Sequence, residues 1–149
     1  MAGTEDGSAR AAVAACLAAA EPDPAARRAC AGIYATVCME SPEGQTTVGM
    51  SQCLGEELAV WEEMRAETWK ALRADAKQAD AAYPEAEALP TLRRARRAWT
   101  AYREAECRAA AAPYSGGTIY GLIVGNCTLT LTAERVVAQR ARLLEERNR

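Results

Sequence analysis

The chain has 149 residues, six cysteines, no histidine and a formal net charge of −2 from 18 basic and 20 acidic residues. Balanced charge argues against a nucleic-acid partner, and the missing histidine removes the usual general base of nucleophile schemes and the commonest transition-metal ligand. Alanine supplies 35 residues, phenylalanine none and the aromatics only eight, which predicts an all-α domain whose small side chains bury little area each.

In chain order, residues 1–7 read as a disordered N-terminal segment and 8–149 as one helical domain. Ser8 is placed as the N-cap of a first helix that ends at Glu21-Pro22. Asp23-Pro24 pairs a cap with proline at the first helical position, opening a second helix through Cys30 and Ile33 to about Met39. Ser41-Pro42-Glu43-Gly44 is a turn. Thr46 or Thr47 then caps a long third helix reaching Ala82. On it Met50, Leu54, Leu58, Trp61, Met64, Thr68 and Leu72 recur at three- and four-residue steps as one buried stripe.

Tyr83-Pro84 and Leu89-Pro90 bound a connector. A fourth helix carries Leu92, Ala95, Trp99, Tyr102 and Ala105 on one face and stops near Ala112, before Pro113. After the loop, Thr118 reopens a last segment through Ile119, Ile123, Cys127 and Leu131 to Leu144, with Gly121 and Gly125 weakening its start. The sum is a bundle of about five helices in antiparallel hairpins. No apolar run approaches the roughly 20 residues of a membrane span.

The cysteines are Cys16, Cys30, Cys38, Cys53, Cys107 and Cys127, with no C-x-x-C pair among them. Redox centres and zinc knuckles therefore lack a starting motif, and neither a metal nor another cofactor is expected. An even count in a small chain reads as three disulfides and an oxidising compartment, periplasmic or extracellular. Six cysteines allow fifteen pairings. The nearest-neighbour set fits the turns best: Cys16–Cys30 across Pro22–Pro24, Cys38–Cys53 across Ser41–Thr47, and Cys107–Cys127 across Gly116-Gly117. Loops of about 15 residues each contribute roughly 3 kcal/mol when closed, which offsets the thin alanine core. Val13-Ala14-Ala15-Cys16 matches the pattern before a lipoprotein cysteine. Glu5 and Asp6 nevertheless spoil a basic leader, so a cleavable signal already removed is the better expectation.

Two stretches resemble a known family. One is Cys38 followed by Gln45-Thr46-Thr47-Val48-Gly49-Met50-Ser51-Gln52-Cys53-Leu54-Gly55-Glu56-Glu57-Leu58, a threonine-rich cap with Met-x-x-Cys and Glu-Leu. The other is Arg97-Ala98-Trp99-Thr100-Ala101-Tyr102-Arg103-Glu104-Ala105-Glu106-Cys107, with Gly116-Gly117-Thr118, Cys127 and Leu131-Thr132-x-x-Arg135 as a closing segment. Together they resemble the lysozyme inhibitor LprI-like N-terminal domain family over about Cys38 to Leu144. The resemblance implies an exported, disulfide-tied helical domain and, as partner, a lysozyme-type cell-wall hydrolase. Cys16 and Cys30 lie outside the shared pattern. Trp69 stands where members often carry tyrosine.

Three groups of residues invite a functional reading. Trp99, Tyr102, Arg103 and Glu106 are helical neighbours; Arg103 and Glu106 can pair at i, i+3, and Arg135 can reach the same carboxylates. That is a structural polar network beside Cys107–Cys127, or alternatively a pocket for a small ligand or another envelope protein. The acidic stretch of Glu56, Glu57, Glu62 and Glu63 reads as a solvated face, with steering of a cationic partner as its functional alternative. The loop Tyr114, Ser115, Gly116, Gly117, Thr118 and Tyr120 is the expected partner contact: aromatics at its ends, glycines for close approach and a disulfide at its base. The run Arg93-Arg94 with Arg96-Arg97 reads as a solvated face or an anion site. With four serines and no histidine, no catalytic residues are expected, and the function implied is inhibition by steric occlusion.

Overall fold

Alanine-rich runs separated by proline and glycine stops fold into six α-helices, and the computed structural model describes residues 3–148, with side chains from residue 7 onward. The helices are α1 (Gly3–Ala20), α2 (Pro24–Arg28), α3 (Ile33–Glu40), α4 (Thr47–Ala82), α5 (Ala88–Ala111) and α6 (Tyr120–Arg147). Short 3-10 turns at Glu43–Gln45, Pro84–Ala86 and Ala112–Tyr114 join them, and no strand occurs among the described residues.

The all-α bundle is as expected, with two local corrections. Ser8 lies inside α1 instead of capping it, and residues 3–7 are helical where a disordered segment was expected. Extending an alanine-rich helix at one end needs no new nucleation. Residues 1–2 of that segment lie outside the described residues. The second expected helix is broken into α2 and α3, because Gly32 adopts a left-handed φ of 90° that an α-helix cannot contain.

Helix α4 is the axis of the molecule. Its 36 residues span roughly 54 Å at 1.5 Å per residue, and α1, α3, α5 and α6 all pack on it. Thr46 caps it, accepting the Gly49 N–H at 2.9 Å, and Tyr83-Pro84 stops it. Helix α5 starts at Ala88, two residues earlier than Pro90 suggested. Asp80 of α4 supplies the missing cap, accepting the N–H groups of Ala88 at 2.6 Å and Leu89 at 3.0 Å. Pro90 is tolerated because first-turn N–H groups have no helical partner. Helix α6 runs unbroken through Gly121 and Gly125, with Gly125 lying against Leu54 of α4.

The core joins Val13 of α1, Cys30, Ala35 of α3, Val60 and Trp61 of α4, and Leu129, Ala133 and Val136 of α6. All three disulfides form as the turn layout suggested, with Cα separations of 5.8 Å for Cys16–Cys30, 5.7 Å for Cys38–Cys53 and 5.4 Å for Cys107–Cys127. Cys16 of α1 is thus bridged to Cys30, just beyond α2. No described helix is long and apolar enough to cross a membrane.

Candidate functional site

The loop between α5 and α6 stands at the end of the bundle where α4 begins, as the contact of Gly125 with Leu54 shows. It leaves α5 at the buried Ala111, turns through Ala112–Tyr114 and crosses Gly116 with a left-handed φ of 83°. The backbone closes on itself: Ser115 N–H donates to the Ala112 carbonyl at 3.2 Å, and Gly117 N–H donates to the Tyr114 carbonyl at 3.1 Å. Tyr114 is 49% exposed and Ile119 48%, while Ser115, Gly116, Gly117 and Thr118 are exposed and Tyr120 half-buried. Cys107–Cys127 ties the base of this loop across the two helices. The result is a small polar tip flanked by the exposed Tyr114 and Ile119, its backbone tied by two turn hydrogen bonds and a disulfide.

Behind the loop, further along the same helices, lies a cluster of arginine and tryptophan. The indole of Trp99 is approached by three guanidiniums, those of Arg103 at 4.9 Å, Arg65 at 5.3 Å and Arg135 at 5.6 Å from the ring centroid. Arg96 stacks on Trp69 at 4.3 Å. Arg65 donates to Glu62 through Nε at 2.9 Å and Nη2 at 2.7 Å, and Arg103 donates to the other Glu62 oxygen and to Thr132 Oγ1 at 2.9 Å. Burial pushes the Glu62 carboxyl up, but the hydrogen bonds and charges of Arg65 and Arg103 outweigh it and hold the group below its usual range. Burial, then the charges of Arg142 and Arg65, lowers the Arg135 guanidinium from its ordinary value.

Trp99, Arg103 and Arg135 lie together, with partners other than the anticipated ones. Arg103 pairs with Glu62 of α4, not with Glu106, which is exposed on α5, as is Tyr102. Arg135 meets the Trp99 ring instead of a carboxylate. A pairing within one helix gives way here to one across helices, because the half-buried Arg103 faces α4 and α6.

The acidic stretch on α4 is solvated only in part: Glu63 is exposed, and Glu56 and Glu62 are half-buried. Glu57 is fully buried, and its carboxylate accepts four N–H groups. Oε2 takes Gly32 at 2.7 Å and the Trp61 indole at 2.8 Å, while Oε1 takes Tyr34 at 2.8 Å and Ala35 at 3.0 Å. It thereby satisfies the otherwise orphaned first N–H groups of α3. Glu56 accepts the Tyr34 hydroxyl, and Glu63 pairs with Arg10 at 2.6 Å. All four carboxylates have partners within the chain, Glu63 in an exposed ion pair, which leaves little free negative charge for steering a cationic partner. A signal for Glu57 was present in the sequence: it stands three residues after Leu54 and four before Trp61, on the apolar stripe itself. Glu62, Arg65 and Thr132 carried no such signal.

Beside Glu56 and Tyr34, a groove of about 860 Å³ runs between α1, α3 and the start of α4, lined by Ala12, Ile33, Val37 and Glu43. Among the described residues no group of histidine, cysteine and carboxylate side chains is placed to hold a metal ion.

Residues 38–138 match the family model described as lysozyme inhibitor LprI. The chain belongs to the lysozyme inhibitor LprI family. The matched span contains α4, α5, the loop and the arginine–tryptophan cluster of this LprI member, and leaves Cys16 and Cys30 outside it. Fifty-six residues are 41% identical to an uncharacterized protein of Rhizobium meliloti (strain 1021), covering 38% of this chain and 39% of that relative. The alignment thus spans about two fifths of that relative. No solved structure matches the chain.

Proposed function

We propose that this chain inhibits a lysozyme-type cell-wall hydrolase by occluding its substrate cleft, in the periplasm or outside the cell, without chemistry of its own. The observation that carries it is the exposed loop 113–120, closed at its base by Cys107–Cys127, in a chain of an inhibitor family. A hydrolase that grips a polysaccharide has a long cleft, and an exposed loop tied at its base by a disulfide enters such a cleft with a reduced ordering cost. Tyr114 and Ile119 are the anchors, since large amphipathic and apolar side chains dominate binding energy at interfaces. Three disulfides suit a compartment in which thiols are oxidised and proteases are abundant.

The test is a turbidity assay on suspended bacterial cell walls with lysozymes of the c, g and i types. Slowing that saturates at a fixed molar ratio is expected for at least one type. No slowing of any of the three at a large molar excess would reject the reading.

A further inference from the structure

The cleft between α4, α5 and α6 is lined by Arg65 and Trp69, Arg96 and Trp99, and Arg135 and Gln139. With Arg103, four guanidiniums lie over two indole rings at 4.3 to 5.6 Å. One carboxylate, Glu62, stands against them, and Arg65 and Arg103 already share it. Four positive charges less one negative leave three in excess. Among the described residues neither Arg96 nor Arg135 has an ion-pair partner. Indole faces attract a guanidinium but carry no net charge, so they stack these groups without neutralising them. Burial first, then the charge of Arg142 outside the cleft and that of Arg65 within it, lowers the Arg135 guanidinium, as expected of like charges partly withdrawn from water.

We propose that this cleft binds an oxyanion, the phosphate or carboxylate group of a ligand, with Arg65, Arg96 and Arg135 as its cationic donors. A guanidinium stacked on a ring keeps its in-plane N–H groups available, and their fork matches two oxygens of a phosphate or carboxylate. Gln139 adds a neutral amide to the same cleft. The enclosed space is small, about 10 Å³, which is room for one oxygen atom. A single oxygen enters and the rest of the group remains at the mouth, where Arg96 is exposed. The site lies apart from the loop at 113–120, so anion binding stands or falls independently of hydrolase inhibition.

Thermal unfolding and tryptophan fluorescence, titrated with sodium phosphate and separately with sodium acetate, test this against sodium chloride of equal ionic strength. A saturable fluorescence change and a rise in Tm of a few degrees are expected in phosphate or acetate beyond any chloride effect. Arg96→Gln alters an exposed side chain and leaves the fold intact; it is expected to weaken the apparent affinity about tenfold. Arg108→Gln, an exposed arginine nearer the loop, is expected to leave affinity unchanged. Phosphatidylglycerol vesicles separate the sources: binding lost in Arg96→Gln and competed by free phosphate points to a lipid headgroup, whereas a response to free anions alone points to a soluble ligand. The proposal is overturned if neither anion exceeds chloride, or if Arg96→Gln binds as the parent does.

Discussion

Glu57 and Trp61, one turn apart on α4, are joined by a 2.8 Å hydrogen bond from the indole N–H to Oε2, and both side chains are completely buried. The same oxygen accepts the Gly32 N–H, so a single carboxylate fixes the largest core side chain and the start of α3 together. A buried acceptor with this many donors is costly to lose, because each N–H left behind forfeits its solvation as well as its bond.

Glu57→Gln is therefore expected to destabilise the fold by about 2–4 kcal/mol, since the amide nitrogen turns a donor toward N–H groups that need an acceptor. Urea unfolding measures this directly. A midpoint within error of the parent would show that the four hydrogen bonds contribute nothing.

Glu62 makes stability depend on pH in a defined direction. Its folded carboxyl titrates below the ordinary value of 4.5, held there by Arg65 and Arg103 against the opposing effect of burial. The unfolded state thus binds its proton first as the solution is acidified. The stabilisation is complete above about pH 4.5 and is lost as pH falls through the folded value. In Tm against pH, Glu62→Gln is expected to lie below the parent at neutral pH and to converge on it in acid. Parallel curves down to pH 3 would contradict the assignment.

Gly49 sits in the first turn of α4 against the turn at Glu43–Gln45, and a Cβ there would lie 1.8 Å from the Glu43 carbonyl oxygen. The obstacle is backbone, which cannot rotate away. Gly49→Ala is expected to cost about 3 kcal/mol, through displacement of the turn that Cys38–Cys53 spans. Chemical denaturation that finds the variant as stable as the parent would mean the turn is held elsewhere.

Tyr114→Ala with Tyr120→Ala probes the loop. Tyr114 is half-exposed and Tyr120 half-buried, so a fall in Tm of only a few degrees is expected alongside a tenfold or greater loss of inhibition in the turbidity assay. Full inhibition by the double variant would clear the loop of a role. Cys107→Ser with Cys127→Ser frees the same loop and is expected to weaken inhibition even where the helices remain folded.

The charged groups were the least legible part of the chain. Arg103 and Glu106 satisfy the i, i+3 rule and yet do not pair, because Arg103 faces α4 and finds Glu62, 41 residues away in sequence. The four acidic residues of α4 look alike as letters. They differ only in what lies opposite: broken backbone at α3 for Glu57, Tyr34 for Glu56, two arginines for Glu62 and α1 for Glu63.

Helix content, the stripe from Leu54 to Leu72, the ends at Tyr83-Pro84 and Pro113, and the nearest-neighbour disulfides followed from the sequence by itself. Each depends on residues close along the chain: alanine propensity, a three-to-four spacing, a proline, or two cysteines on either side of one turn. The break before α3, the burial of Glu57 and the gathering of four arginines on two tryptophans were decided only when distant helices met. A local pattern says which face of a helix is apolar, but the partner of a buried charge is chosen by whichever element comes to lie across from it.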